Sequence, residues 1–140
     1  MAVTLSKTYF FTLDLGLKVH ALNNTDTLKL AFTDTAPTTA THVYADIVSP
    51  LALTNLLTSP SLTSVTFTQS TGTATLGAAT WTGTSQTGNF GPFRYIVLYN
   101  DSAASKNVIG WWDYAAELTL NGVNADQFVI TFPSGILTDA

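Results

Sequence analysis

Leu28-Lys29-Leu30-Ala31-Phe32-Thr33 is the stretch that decides the fold class, because large apolar side chains recur in it at every second position. Successive side chains of a β-strand point to opposite faces of the sheet, so Leu28, Leu30 and Phe32 share one face. The pattern predicts a half-buried strand whose even-numbered side chains lie in a core.

The same period of two recurs along the chain and indicates further strands. It is present at positions 13–19, 65–68, 74–76 and 128–132, and a short strand is expected at positions 118–120. Positions 93–99 and 108–114 are apolar on both faces. Such strands are covered on both sides, either by the chain itself or by the core and a neighbouring subunit. Residues 100–107 have the composition of a hairpin loop, and Asn121-Gly122 that of a tight turn.

These strands predict an all-β fold, a single-domain antiparallel β-sandwich or jelly-roll-like domain over residues 1–140 with at most one short helix. Helical character is indicated only between positions 38 and 57, where a threonine stands at the capping position before residues 42–47. Pro50 and Pro60 limit the length of any helix there. The Thr-, Gly- and Ser-rich region 69–90 is assigned to edge strands and loops of the same domain.

The composition indicates a surface with very little charge. Hydrophobic residues make up 46% of the chain and charged residues only 10%, against roughly 25% in an average domain. Twenty-five threonines supply neutral polar positions that suit strands. Five basic residues and a net charge of −4 argue against nucleic acid as a partner. No stretch is long and apolar enough for a membrane span or a secretory signal, so synthesis in a cytoplasm and no membrane partner are expected.

The residues that most often carry chemistry are sparse and scattered. His20 and His42 lie far apart, and only Asp46 stands at helical spacing from either, so ordinary histidines are favoured over a metal site. Asn and Asp residues at positions 23–26 and 100–101 are better explained by turns than by a calcium site. We therefore predict a protein that is not an enzyme, with no catalytic residue, metal or cofactor.

The aromatic residues provide the candidate interface. Trp111 and Trp112 are adjacent on a predicted strand, so one ring lies in the core and the other under a second layer of the chain, a ligand or a partner subunit. Tyr9, Phe10 and Phe11 form a dense aromatic group near the amino terminus. Residues 1–11 are accordingly either an arm that reaches a neighbouring subunit or part of the first core strand.

The second half of the chain resembles small structural proteins encoded among the virion genes of tailed phages. The resemblance rests on Gly91-Pro92-Phe93-Arg94-Tyr95-Ile96-Val97-Leu98-Tyr99-Asn100-Asp101, on Ile109-Gly110-Trp111-Trp112-Asp113-Tyr114, on residues 128–132 and on Gly135-Ile136-Leu137. Residues 28–37 and 45–47 match more loosely, and residues 49–63 depart from the pattern, which has a glycine-rich turn there.

The resemblance implies a capsid decoration or cement protein on the surface of the virion. Proteins of this kind commonly form homotrimers on the shell, so the expected partners are further copies of the chain and the phage major capsid protein. A tail or baseplate component, and a carbohydrate-binding β-sandwich module, remain as alternatives.

Overall fold

The computed structural model describes residues 5–22 and 25–139, with the backbone alone for residues 138 and 139. Strands make up 43% of the structure, and the described residues form one short α-helix. The predicted all-β fold is therefore confirmed. In chain order the elements are β1 (Ser6–Lys7), α1 (Phe11–Gly16), β2 (Leu28–Thr33), β3 (Thr66–Ser70), β4 (Thr73–Gly77), β5 (Trp81–Thr84), β6 (Phe90–Asn100), β7 (Val108–Leu120), β8 (Gln127–Ile130) and β9 (Leu137–Asp139).

The strands form three antiparallel sheets. The largest has the order β1-β7-β6-β2, and two smaller sheets have the orders β3-β4-β9 and β5-β8. β6 and β7 form the predicted hairpin across residues 101–107 and are the longest strands. β7 continues through positions 118–120, where a separate strand was expected, so that prediction is corrected to a single strand of 13 residues.

The main hydrophobic core lies between the four-stranded sheet and the two small sheets. Side chains from all three sheets meet in it, with Phe32, Phe93 and Phe128 packed ring against ring. The even-numbered side chains of β2 lie there, as the alternation predicts. Burial of this large aromatic and aliphatic surface provides the main driving force for folding.

The outer face of the four-stranded sheet is also covered, so β2 is buried on both faces and not on one. A second apolar cluster joins Ala31, Val97 and Tyr99 to Ile47 and the ring of Tyr44. The loop that carries Tyr44 and Ile47 crosses this face, and the hydroxyl of Thr33 donates to the Val48 carbonyl at 2.6 Å. The chain itself thus covers Val97, Tyr99 and Val108 of the two-faced strands, whereas Trp111 remains partly exposed and Tyr114 exposed.

The strand predicted at positions 13–19 is wrong, since residues 11–16 form α1. Leu13, Leu15, Leu17 and Val19 alternate as in a strand, but the helix buries Phe11 and Asp14, which are three residues apart. A segment this short agrees in part with both the strand repeat and the helix repeat. Packing against β7 stabilises the helix.

The region 38–57 contains no α-helix, only two 3₁₀ turns at Tyr44–Asp46 and Leu53–Asn55. The segment 49–63 protects the free edge of β2. The Leu51 amide donates to the Phe32 carbonyl, and the Leu62 amide donates to the Leu28 carbonyl, both at 2.8 Å. These bonds satisfy backbone groups that an edge strand otherwise exposes for pairing with another chain.

None of the helices formed by the described residues has the length and apolar character needed to cross a membrane.

Candidate functional sites

The amino-terminal segment is packed on the domain from residue 5 onward. β1 pairs with Gly110 and Trp111 of β7, and Phe11 is fully buried in the main core. The Phe10 ring stacks on the imidazole of His42 at a centroid distance of 4.0 Å. Residues 5–11 are therefore part of the folded domain, and residues 1–4 of the predicted arm lie outside the described part of the chain.

An apolar stripe faces outward at α1, and we call its residues Tyr9, Leu13 and Leu17 the helix stripe. Leu13 lies in the helix, Leu17 is its C-cap residue, and Tyr9 lies just before the helix. Their side chains are 75%, 54% and 64% exposed. Phe11 and Asp14 anchor the opposite side, so the stripe is presented by a fixed support. Exposed apolar side chains grouped in this way are typical of an interaction surface.

A cleft of about 490 Å³ opens beside α1, with lining that includes Asp14, Lys18 and His42. The Asp14 carboxylate is almost completely buried there. It accepts a hydrogen bond from the Asn107 amide at 3.0 Å, and His42 Nε2 lies 3.2 Å from one of its oxygens. These contacts compensate a buried charge and fix α1 to the start of β7.

His20 lies behind Asp14 and is neutral in this environment. Burial is the main cause that lowers its pKa from the ordinary value, while Asp14 and Asp26 act in the opposite direction. Its Nδ1 lies 3.1 Å from the Asn100 amide nitrogen, which also donates to the Val19 carbonyl and to Asp26. Its Nε2 is buried without a hydrogen-bond partner, 3.8 Å from an Asp14 oxygen.

Asp14, His20 and His42 are the side chains of this buried group that could serve as metal ligands. Within residues 5–22 and 25–139, no group of three or more histidine, cysteine or carboxylate side chains is arranged to hold a metal ion. The arrangement has a structural role, because it joins α1, the loop at His42 and the β6–β7 hairpin.

In the two segments predicted to form turns, nearby groups of the chain pair with the Asp carboxylates. Asp101 lies 2.8 Å from the Lys29 ammonium and 3.1 Å from that of Lys106. Asp26 accepts a hydrogen bond from the Ala21 amide at 2.6 Å. Asn23 and Asn24 lie outside the described residues.

A wide bulge interrupts the pairing of β6 with β7. Tyr95 lies opposite Asp113 and Phe93 opposite Leu118, so residues 114–117 face the single residue Arg94. We call residues 114–117 the β7 bulge, and all four are exposed. Arg94 fixes its base by two hydrogen bonds to the Asp113 carboxylate, at 2.8 and 3.0 Å. Bulges of this kind redirect side chains and often lie at functional surfaces.

Two acidic side chains meet beside the β7 bulge. The carboxyl group of Asp34 lies close enough to that of Glu117 to raise the pKa of Glu117 above its ordinary value. Both residues are exposed. We call them the acidic pair. Adjacent like charges disfavour simultaneous ionisation, so an approaching cation would relieve the repulsion.

The two tryptophans point to opposite faces, as predicted. Trp112 is buried in the main core with its ring 5.9 Å from that of Phe132. Trp111 is partly exposed and packs against the second cluster, so a layer of the same chain covers part of it. A carbohydrate-binding module would need exposed aromatic rings on which a sugar can stack. The aromatic side chains do not form such a surface together, because Trp81, Trp112 and Tyr99 are buried.

The structure thus places the five predicted interface residues differently. Tyr9 is exposed, Phe10 and Trp111 are partly exposed, and Phe11 and Trp112 are buried. Leu13 and Leu17 were missed because the segment was interpreted as a strand. A four-residue spacing from Tyr9 through Leu13 to Leu17 is the signal that would have found them.

No family model, no curated protein and no solved structure matches the chain.

Proposed function

We propose that this chain is a non-enzymatic structural protein of a tailed-phage particle, a capsid decoration or cement protein that binds the head shell as an oligomer. The helix stripe is the observation that carries the proposal. Three large apolar side chains stand exposed on and beside α1, whose other side is fixed in the core: Leu13 within the helix, Leu17 at its C-cap and Tyr9 just before it. Their exposure has a physical explanation when another protein covers them.

The low charge of the surface supports the same role. A protein that binds many equivalent sites on a shell must desolvate its surface at each site, and neutral threonine hydroxyls are removed from water at smaller cost than charged groups. An oligomer multiplies weak contacts through effective concentration, so no single strong site is needed. The resemblance of residues 91–101 and 109–114 to small structural proteins of tailed phages supports a role in the virion, and it leaves the tail or baseplate as the alternative location.

The test measures occupancy on purified heads that lack the native protein, by co-sedimentation and by cryo-electron microscopy. We expect saturable binding of the wild type and strongly reduced binding of Leu13→Asp. Leu57→Asp is the matched control, because Leu57 is 63% exposed and lies outside the helix stripe. A wild type that does not bind heads contradicts the proposal.

Two alternatives predict other outcomes. A tail or baseplate component binds tails and leaves heads bare in the same experiment. A carbohydrate-binding module gives selective signals on a glycan array; the cleft beside α1 offers it little support, since its described lining contains no Trp, Tyr or Phe.

A further inference from the structure

Several basic side chains of this chain have carboxylate partners. Lys29 and Lys106 share Asp101, and Arg94 binds Asp113. Lys18 is exposed and forms no ion pair with any described residue. It follows Leu17 directly, so a cation stands at the end of the helix stripe.

The carboxylates also differ in how far other groups compensate their charge. Most described carboxylates are held by cations, amides or backbone N–H groups, as Asp46 is by the amides of His42 and Val43. The acidic pair is less completely compensated, because Glu117 and Asp34 face each other, and Arg94, which acts on Asp34 electrostatically, forms its two hydrogen bonds with Asp113. Tyr114, Ala115 and Ala116 beside them are exposed, so this surface is apolar with an acidic margin.

The two surfaces lie far apart on one molecule. Asn107 binds Asp14 and so fixes α1 at the start of β7. The β7 bulge begins at Tyr114, six residues past Val108, which is roughly 20 Å along the strand at about 3.3 Å per residue. They cannot contact each other within one chain, but they can in two copies. A contact between two different surfaces of identical chains is heterologous, and it closes into a ring when the rotation permits.

We propose that the helix stripe with Lys18 docks on the β7 bulge and the acidic pair of a second copy of this chain. The stripe supplies Tyr9, Leu13 and Leu17 against Tyr114, Ala115 and Ala116, while Lys18 approaches Glu117 and Asp34. The inference rests on the proposed oligomeric role and specifies its contact. Repetition of this heterologous contact builds a closed ring, the type of assembly to which the expected trimer belongs.

Charge reversal tests the electrostatic part. Lys18→Glu and Glu117→Lys should each weaken self-association about tenfold, since each places like charges together. The double variant restores the opposite charges in reversed order, so its dissociation constant should return to within about threefold of the wild type. Sedimentation velocity over a concentration series gives these constants. Two single effects that simply add in the double variant overturn the pairing of Lys18 with Glu117.

A mixing experiment tests the heterologous geometry. Leu13→Asp disables the helix stripe, and Ala116→Arg disables the β7 bulge by bulk and by repulsion of Lys18. Each variant alone should be monomeric, and an equimolar mixture should form a heterodimer through its one intact pair of surfaces. Homodimers of Ala116→Arg would indicate a symmetric contact between two helix stripes and overturn the inference. Near-ultraviolet circular dichroism verifies folding; Lys18→Glu replaces Leu13→Asp if that variant is unfolded.

The inference and the proposed function fail separately. A heterodimer in the mixture with no binding of the wild type to heads contradicts the shell role and leaves the contact intact. Wild type that coats heads but remains monomeric at every concentration, with no heterodimer in the mixture, overturns the contact and leaves the shell role intact.

Discussion

Trp111 and Trp112 lie side by side in β7 and contribute differently to stability, because their rings point to opposite faces of the sheet. Trp112 is 3% exposed within the main core, where close packing leaves no neighbour free to fill its space. Trp111 lies on the outer face at the margin of the second cluster. Adjacent identical residues therefore allow the two layers to be probed one at a time.

Alanine substitutions at the two positions should lower the free energy of unfolding by different amounts. Trp112→Ala should lower the free energy of unfolding by about 3–5 kcal/mol, the usual cost of deleting a buried indole. Trp111→Ala should lower it by clearly less, because the ring is already partly in water. Urea denaturation monitored by circular dichroism provides both values. Equal losses would contradict the assignment of the two rings to different layers.

His20 should make stability depend on pH. Its pKa is lowered in the folded chain, chiefly by burial, and has its ordinary value of 6.5 in the unfolded chain. As pH falls below 6.5, the unfolded chain binds a proton that the folded chain does not, so the free energy of unfolding decreases. Asp14, Asp26 and His42 face this ring and belong to the same electrostatic environment.

The variant His20→Gln should show a shallower decrease of the free energy of unfolding between about pH 6.5 and pH 5, because the titrating ring is absent. His42→Gln keeps His20 and should keep this part of the slope. Urea titrations at closely spaced pH values supply the comparison. A decrease as steep in His20→Gln as in the wild type would contradict the role of this ring.

At the scale of elements, the alternation of apolar residues predicts most strands. It fails where a segment fits both a strand pattern and a helix pattern, because packing then decides which structure forms. β2, β4 and β8 follow their alternation, since a residue pattern of two is enough to define which side faces a core. In the segment of α1, the leucines at every second position indicate a strand, while tertiary contacts stabilise a helix. The cleft beside α1 joins residues from distant parts of the chain, and nothing in the sequence brings them together.

The amino-terminal segment offers a prediction for one element. Phe11→Ala should lower the free energy of unfolding by about 3–5 kcal/mol, because Phe11 is fully buried in the main core. Tyr9→Ala, two positions earlier, should change it by about 0.5 kcal/mol or less, as expected for an exposed side chain. Thermal and urea denaturation of the two variants under one condition give the comparison. A large loss for Tyr9→Ala would show that the segment packs differently.

For the whole molecule, the chain covers the free edge of β2 and part of the outer face of the main sheet. Residues 51–62 cover the edge of β2, and the loop at Tyr44 covers the outer face near Val97 and Tyr99. Strand pairing at the edge of β2 is therefore not what another copy would use. The proposed contact uses exposed side chains of the helix stripe and the β7 bulge instead.

Association of folded chains should make thermal stability depend on protein concentration. Assembly binds only the folded state, so a hundredfold increase in concentration above the dissociation constant adds about 2.7 kcal/mol, or a rise in Tm of roughly 5 °C or more for a domain of this size. Leu13→Asp should remove this dependence because the helix stripe no longer docks, while Leu57→Asp should retain it. Differential scanning calorimetry over that range measures all three proteins. A wild-type Tm that stays constant across the range would contradict self-association, whereas equal loss in both variants would place the contact away from α1.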